Sequence, residues 1–201
     1  MGRQKKYNRQ DIIKKATDLF HQYGFKPSGT KEIVEAVGIN KFSLYAEFAS
    51  NKVLFLECLE YYYSFALEES YATLEQESSD IESIILFFEK LPQRARNPQR
   101  RGCLLCNTAM EFSNRDEEIN PILNKYFKRV HTSFQNALQN SIDKDLLLEE
   151  VDTNSIANYL TTTMVGIMGN NRAKLPAKQV ADTCTHIIHF LRLLQKRTTV
   201  R

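Results

Sequence analysis

The sequence predicts an all-α chain of about nine helices: a small N-terminal three-helix head built as a helix-turn-helix, and a larger C-terminal helical body. Three observations carry this. Only 7 glycines and 5 prolines punctuate the 201 residues, and long stretches without breakers favour helices over strands, which need frequent turns. Apolar residues recur at helical rather than alternating spacing. Capping residues stand where the periodic stretches begin, at Asn8, Ser28, Asn40 and Ser50.

Ile12, Ala16, Leu19, Phe20 and Tyr23 make the first amphipathic helix, which Gly24 stops. After Pro27, Ser28 is a good N-cap for a second helix over 29–37, with Ile33, Val34 and Val37 as its buried side. Gly38 ends it, and Asn40 caps a third helix over 41–48. Ser50 caps a fourth, long helix over about 51–76, apolar nearly all round from Val53 to Leu67 and so expected to be surrounded by other elements. A fifth helix carries Ile81, Ile84, Ile85, Phe87, Phe88 and Leu91, and a loop is expected around Pro92–Gly102. A sixth runs over about 103–113. A seventh starts near Asp116, with Pro121 close enough to its start to be tolerated. An acidic linker spans 140–152. Helices eight (153–169) and nine (177–196) complete the chain. Each of these two has two apolar sides, one for a core and one for a partner, which points to a homodimer through them.

Composition is that of an ordinary soluble protein, 42% hydrophobic and 25% charged. The longest uncharged run, Thr153 to Asn171, is too rich in Thr and Asn for a membrane span, and the polar, basic start carries no secretory signal, so the expected location is cytoplasmic. Charge is unevenly placed. Residues 1–52 hold ten lysines and arginines against five acids, while the remainder holds 17 against 19. A basic head on a slightly acidic body suggests that the head meets a polyanion. A solvated basic tail explains residues 3–9 but not Lys31, Lys41 and Lys52, which lie inside patterned sequence.

The stretch from Ile12 to Phe55 resembles the TetR family of bacterial transcription regulators. Leu19-Phe20, Gly24-Phe25, Ile33, Gly38, Lys41, Ser43, Leu44, Tyr45, Phe48 and Ser50-Asn51-Lys52 carry the resemblance in order and spacing. It implies a DNA-binding domain over 1–52 and a ligand-binding and dimerisation domain over 53–201. Helix three is then the recognition helix in the major groove of an operator, with Lys41, Phe42 and Ser43 toward base edges and Tyr45 toward a phosphate. Leu44 and Phe48 belong to the core. Ser28, Thr30, Lys31 and Lys52 are phosphate candidates, and Arg3, Lys5, Lys6 and Arg9 can form a basic arm. Two positions depart from the pattern: Phe42 replaces a small residue, and Ala46-Glu47 replace a pair that usually holds a ring reaching a phosphate.

The resemblance further implies a dimeric repressor on a palindromic operator, released when a small-molecule effector enters the body. Tyr62, Phe65, Phe88, Cys103, Met110, Phe112, Tyr126 and Met164 are the expected pocket liners. Cys58 and Cys184 sit on apolar helical faces as small core residues. Cys103 and Cys106 form a C-x-x-C at the start of helix six, beside Arg100 and Arg101, a setting that lowers a thiol pKa and suits oxidant or electrophile sensing. The alternative there is a structural pair, with Cys103 a cap and Cys106 core. A redox enzyme would need a βαβ pattern around the cysteines, and no H-E-x-x-H, G-x-S-x-G or Gly-rich phosphate loop occurs. No catalytic residue, cofactor or metal site is therefore expected, and a protein-only adaptor leaves the basic head unexplained.

Overall fold

A computed structural model describes residues 7–66, 68–99, 101–112 and 116–196. The elements are α1 (Arg9–Tyr23), α2 (Thr30–Val37), α3 (Lys41–Glu47), α4 (Asn51–Tyr61), α5 (Glu68–Tyr71), α6 (Ile81–Arg96), α7 (Leu104–Phe112), α8 (Asn120–Asp143), α9 (Thr153–Ala173) and α10 (Ala177–Leu194). A π-helical turn, Tyr62–Ala66, follows α4. The fold is all-α, as the sequence predicts; among the described residues the one strand-like pairing outside the helices is an isolated bridge between Leu147 and Gln195. No helix among them is long and apolar enough to cross a membrane.

The chain divides into two compact units, Met1–Glu68 with Cys103–Leu123, and Glu69–Gly102 with Asn124–Arg201. In the first unit α1 buries Ile12, Ile13, Ala16 and Phe20. Asn8 accepts the N–H of Gln10 at one end, and Gly24 donates to the Phe20 carbonyl at the other. The aromatic centre is Phe55 of α4, fully buried, with Phe20 at 4.9 Å, Phe25 at 4.8 Å and Phe112 at 5.9 Å between ring centroids. Ring pairs of this kind add to the stabilisation from area burial alone. Cys58, one turn further along α4, is buried and donates to the Ile13 carbonyl.

In the second unit α6 and α10 pack along each other, and Phe87, Phe88 and Phe134 form a ring cluster with centroids 5.3–5.9 Å apart. Asp80 caps α6 by accepting the N–H of Glu82, and Ser83 Oγ accepts the N–H of Asp80 in return. The Ser141 hydroxyl accepts the N–H of Ile81 and donates to the Ala137 carbonyl, so a fully buried polar side chain is satisfied while tying α6 to α8. Deeper still, the hydroxyls of Tyr71 and Tyr126 lie 3.3 Å apart, each near the Met164 sulfur.

Several boundaries differ from the sequence expectation, each for a local reason. The N-cap of α2 is Gly29, not Ser28. Ser28 is only 4% exposed, and its hydroxyl donates back to the Gly24 carbonyl at 2.7 Å, because the turn after α1 folds it inward. The fourth helix is interrupted at the π turn and ends at Tyr71 rather than near 76. It is also less enclosed than its apolar sequence suggests, since Val53 and Phe65 are exposed. α6 continues through Pro92 to Arg96. The proline forfeits one backbone hydrogen bond, but Leu91 and Ala95 stay buried and hold the last turn in place. α8 runs on to Asp143, into the expected linker, held by buried Ala137, Leu138 and Ser141. α9 extends to Ala173, where Lys174 closes it in the left-handed conformation.

Truncating Phe134 removes a fully buried ring from the cluster with Phe87 and Phe88. Phe134→Ala is expected to cost about 3–5 kcal/mol in chemical denaturation, and a loss well under 1 kcal/mol would mean that the cluster is not a packing centre.

Candidate nucleic-acid interface

The helix-turn-helix is built by short-range signals. Gly38 takes a left-handed φ of 78° that closes α2, a conformation costly for residues with a Cβ. Asn40 then caps α3 by accepting the N–H of Ser43 at 2.9 Å. Leu44 and Phe48 are buried, as expected of the core side. Phe42 is 88% exposed, and Lys41 and Tyr45 face outward with it. The Lys41 ammonium lies 5.9 Å from the Tyr45 ring centroid. Lys31 is exposed, Thr30 and Ser43 partly so.

Three helices are joined at this face by one small network. The hydroxyls of Thr30 and Tyr45 are 2.8 Å apart, and the Asn51 amide donates to Thr30 at 3.2 Å. The start of α2, the middle of α3 and the start of α4 are thereby held together. Tyr45 is thus anchored as well as exposed, which fixes where its ring stands.

Glu47 resolves differently from what its position suggests. Its side chain is only 7% exposed and turns inward, 3.8 Å from the Arg9 guanidinium, and it accepts a hydrogen bond from the Tyr7 hydroxyl at 3.2 Å. Arg9 also bonds Glu57 at 2.6 Å and lies over the Phe48 ring at 4.6 Å. The hydrogen bond that Arg9 donates to Glu57, with both carboxylates nearby, raises the Arg9 pKa further. Arg9 is therefore a brace between α1, α3 and α4 rather than part of a free arm, and no carboxylate at 47 stands on the exposed face. Arg3, Lys5 and Lys6 lie outside the described residues.

Two of the phosphate candidates are already engaged. Ser28 is buried, as described above. Lys52 pairs with Asp116 at 2.9 Å and with Glu118. Sequence reasoning missed this pairing, and also missed Glu111. The Glu111 carboxylate accepts the backbone N–H groups of Phe25 at 3.0 Å and Lys26 at 2.6 Å, while the Lys26 ammonium donates to the Glu111 carbonyl at 3.0 Å. At Gly24, with φ 88°, an added Cβ would come within 2.8 Å of that carboxylate, so the turn needs glycine on both counts. These contacts join residues 85 or more positions apart, and no periodicity or spacing announces them.

The expected pocket liners fall into separate groups. Tyr62 is half-buried beside Cys103, its side-chain hydrogen-bond partner, and Cys106 is close by; desolvation of its hydroxyl first, then the neighbouring thiol, pushes that hydroxyl well above its ordinary pKa. Phe112 stacks on Phe55, and Phe65 and Met110 are exposed. In the second unit Tyr126 and Met164 share the buried network with Tyr71, and Phe88 is spent on ring packing. Cys103, immediately before α7, is 4% exposed, and Cys106 is fully buried, whereas a solvent-reactive thiol needs an open path. Arg100 lies outside the described residues. No metal-holding cluster of His, Cys, Asp and Glu occurs among the described residues.

The family model described as "Bacterial regulatory proteins, tetR family" matches residues 12–58, and the one described as "Tetracyclin repressor-like, C-terminal domain" matches 81–187. The uncharacterized HTH-type transcriptional regulator YezE of Bacillus subtilis is 25% identical over 83% of this chain and 87% of its own. The HTH-type transcriptional repressor ComR of Escherichia coli is 24% identical over 83% and 80%. Among solved structures, a cysteine mutant of the TetR family regulator CifR, complexed with 26-base-pair double-strand operator DNA, is 21% identical and superposes over 93% of this chain and 98% of that one with a TM-score of 0.80. The second family model spans more than half of the chain, and with the first it covers the head and most of the body: the chain belongs to the tetR family of bacterial regulatory proteins and is a DNA-binding transcriptional regulator.

Proposed function

We propose that the chain is a dimeric, cytoplasmic, non-catalytic repressor that binds a palindromic operator and is released by a small ligand or a thiol-reactive signal. Residues 1–52 serve as the DNA-binding domain and 53–201 as the effector-binding and dimerisation domain. The carrying observation is Phe42: a phenylalanine left exposed in the first turn of a helix that is capped, cored and braced from behind is positioned for contact, not for packing. With α3 in the major groove, Lys41 donates to guanine or phosphate, Phe42 meets thymine methyl groups and Ser43 reads a base edge. Tyr45, Thr30 and Lys31 meet the backbone. The relatives named as repressors, and the relative solved on operator DNA, support this reading.

Dimerisation is assigned to α9 and α10. Their outer side carries Tyr159, Leu193 and Phe190, with Tyr159 and Phe190 in edge contact at 5.6 Å, and Leu193 is 69% exposed. An isologous twofold contact uses the same patch on both copies and places two heads on an inverted repeat. For the effector, α7 offers a route to the head. Cys103, Cys106 and Tyr62 meet at its start, and Glu111 at its end holds the turn between α1 and α2. A ligand or adduct at the first place that shifts α7 disturbs the second.

Three outcomes are expected. In binding selection on random duplexes the chain should enrich an inverted repeat; Lys31→Ala should weaken binding about equally on all sequences, and Phe42→Ala should relax preference at one or two base pairs. An unchanged preference profile for the Phe42 variant would sink the groove assignment. Leu193→Asp should shift the chain from dimer to monomer in analytical ultracentrifugation and weaken operator binding by tenfold or more; a variant still dimeric at micromolar concentration would contradict the assigned face. Burial pushes the thiols of Cys58 and Cys184 up to about 12 and about 11, so both should resist alkylation near neutral pH in the folded protein. If a thiol signal operates, labelling of Cys103 or Cys106 should accompany loss of DNA binding; labelling without such loss would leave a small ligand as the effector.

A further inference from the structure

Lys52 occupies the first turn of α4, next to Asn51, which is tied to the Thr30–Tyr45 pair on the exposed face. Its ammonium is held by two carboxylates from the segment before α8. One of them is built in place: Asp116 Oδ1 accepts the N–H groups of Glu118 at 3.1 Å and Ile119 at 3.2 Å, which leaves Oδ2 aimed at Lys52 at 2.9 Å. Glu118 adds a second, more exposed partner. The pairing shows in both directions, raising the Lys52 pKa, through Glu118 first, and lowering that of Asp116 through Lys52. A lysine at the foot of this helix thus carries a preorganised mimic of a phosphate diester, supplied by a segment about 65 residues away in sequence.

We infer that the acidic turn at 116–118 competes with duplex phosphate for Lys52, so that the state described here withholds one backbone contact from DNA. This rests on the DNA-binding reading above. In this state Lys52 contributes nothing to phosphate neutralisation, and removing the two charges frees it to make one more contact. Each phosphate neutralised steepens the dependence of log K on log salt by about 0.9.

The test measures binding of the full chain to a random-sequence duplex between 50 and 200 mM salt. The variants are Asp116→Asn with Glu118→Gln, Lys52→Ala alone, and all three together. Asn at 116 keeps an Oδ1 acceptor for the turn, and circular dichroism melting checks that the fold is intact. The double variant is expected to bind more tightly at low salt and to lose roughly 3.5-fold more affinity than wild type across that salt range. Lys52→Ala alone should match the wild-type slope, and the triple variant should return to it. The inference is overturned if the double variant keeps the wild-type slope, if the triple variant keeps the steeper one (a plain effect of net charge), or if Lys52→Ala alone flattens it. A wild-type chain that binds no DNA overturns the DNA-binding reading and this inference with it, whereas normal wild-type binding with any of the other failures overturns this inference alone.

Discussion

The first unit depends on Phe55. Its ring is the meeting point of α1 through Phe20, of the turn after α1 through Phe25 and of α7 through Phe112. A three-helix head of some fifty residues has little core of its own, and the fraction of surface a chain can bury falls with its size. Recruiting a segment from position 103 onward enlarges that core. The same packing brings Glu111 under the backbone of Phe25 and Lys26, where a charge-assisted acceptor for two N–H groups is stronger than a neutral one. Gly24 follows as a requirement, because a side chain there would collide with the carboxylate.

Around that core, charge is used mostly for internal bracing and only partly for display. Arg9 and Lys52 both count toward the basic excess of the head, yet each is paired with carboxylates. Glu47, which by position threatens a polyanion with repulsion, is turned inward onto Arg9 and Tyr7. Among the described residues, Lys31 and Lys41 face outward near α3, flanking the exposed Phe42 and the anchored Tyr45. The net charge of a segment therefore overstates what a partner meets; the pairing geometry decides it.

The sulfur chemistry shows a similar contrast. A C-x-x-C beside arginines reads as a reactive pair when only neighbours in sequence are counted. Burial reverses the setting, since Cys103 and Cys106 lie inside the unit against Tyr62. The helix α7 links this cluster at one end to the Gly24–Lys26 turn at the other.

Sequence alone determined the elements whose causes are local. Asn8, Asn40, Ser50, Gly24 and Gly38 set helix ends, the 3.6-residue periodicity assigned Leu44 and Phe48 to the core, and Phe42, Lys41 and Tyr45 were legible as the outward side of α3. It failed where the way a turn folds, or a segment far along the chain, decided the outcome. Ser28 does not cap α2, because its hydroxyl turns back to the Gly24 carbonyl as the turn folds, and the pairing of Lys52 was not foreseen because Asp116 and Glu118 are distant in sequence. Capping, turn chemistry and amphipathicity act over a few residues and leave a pattern. Ion pairs and carboxylate clamps between remote segments leave none, so only the tertiary structure could decide which of the head's charges are spent and which are shown.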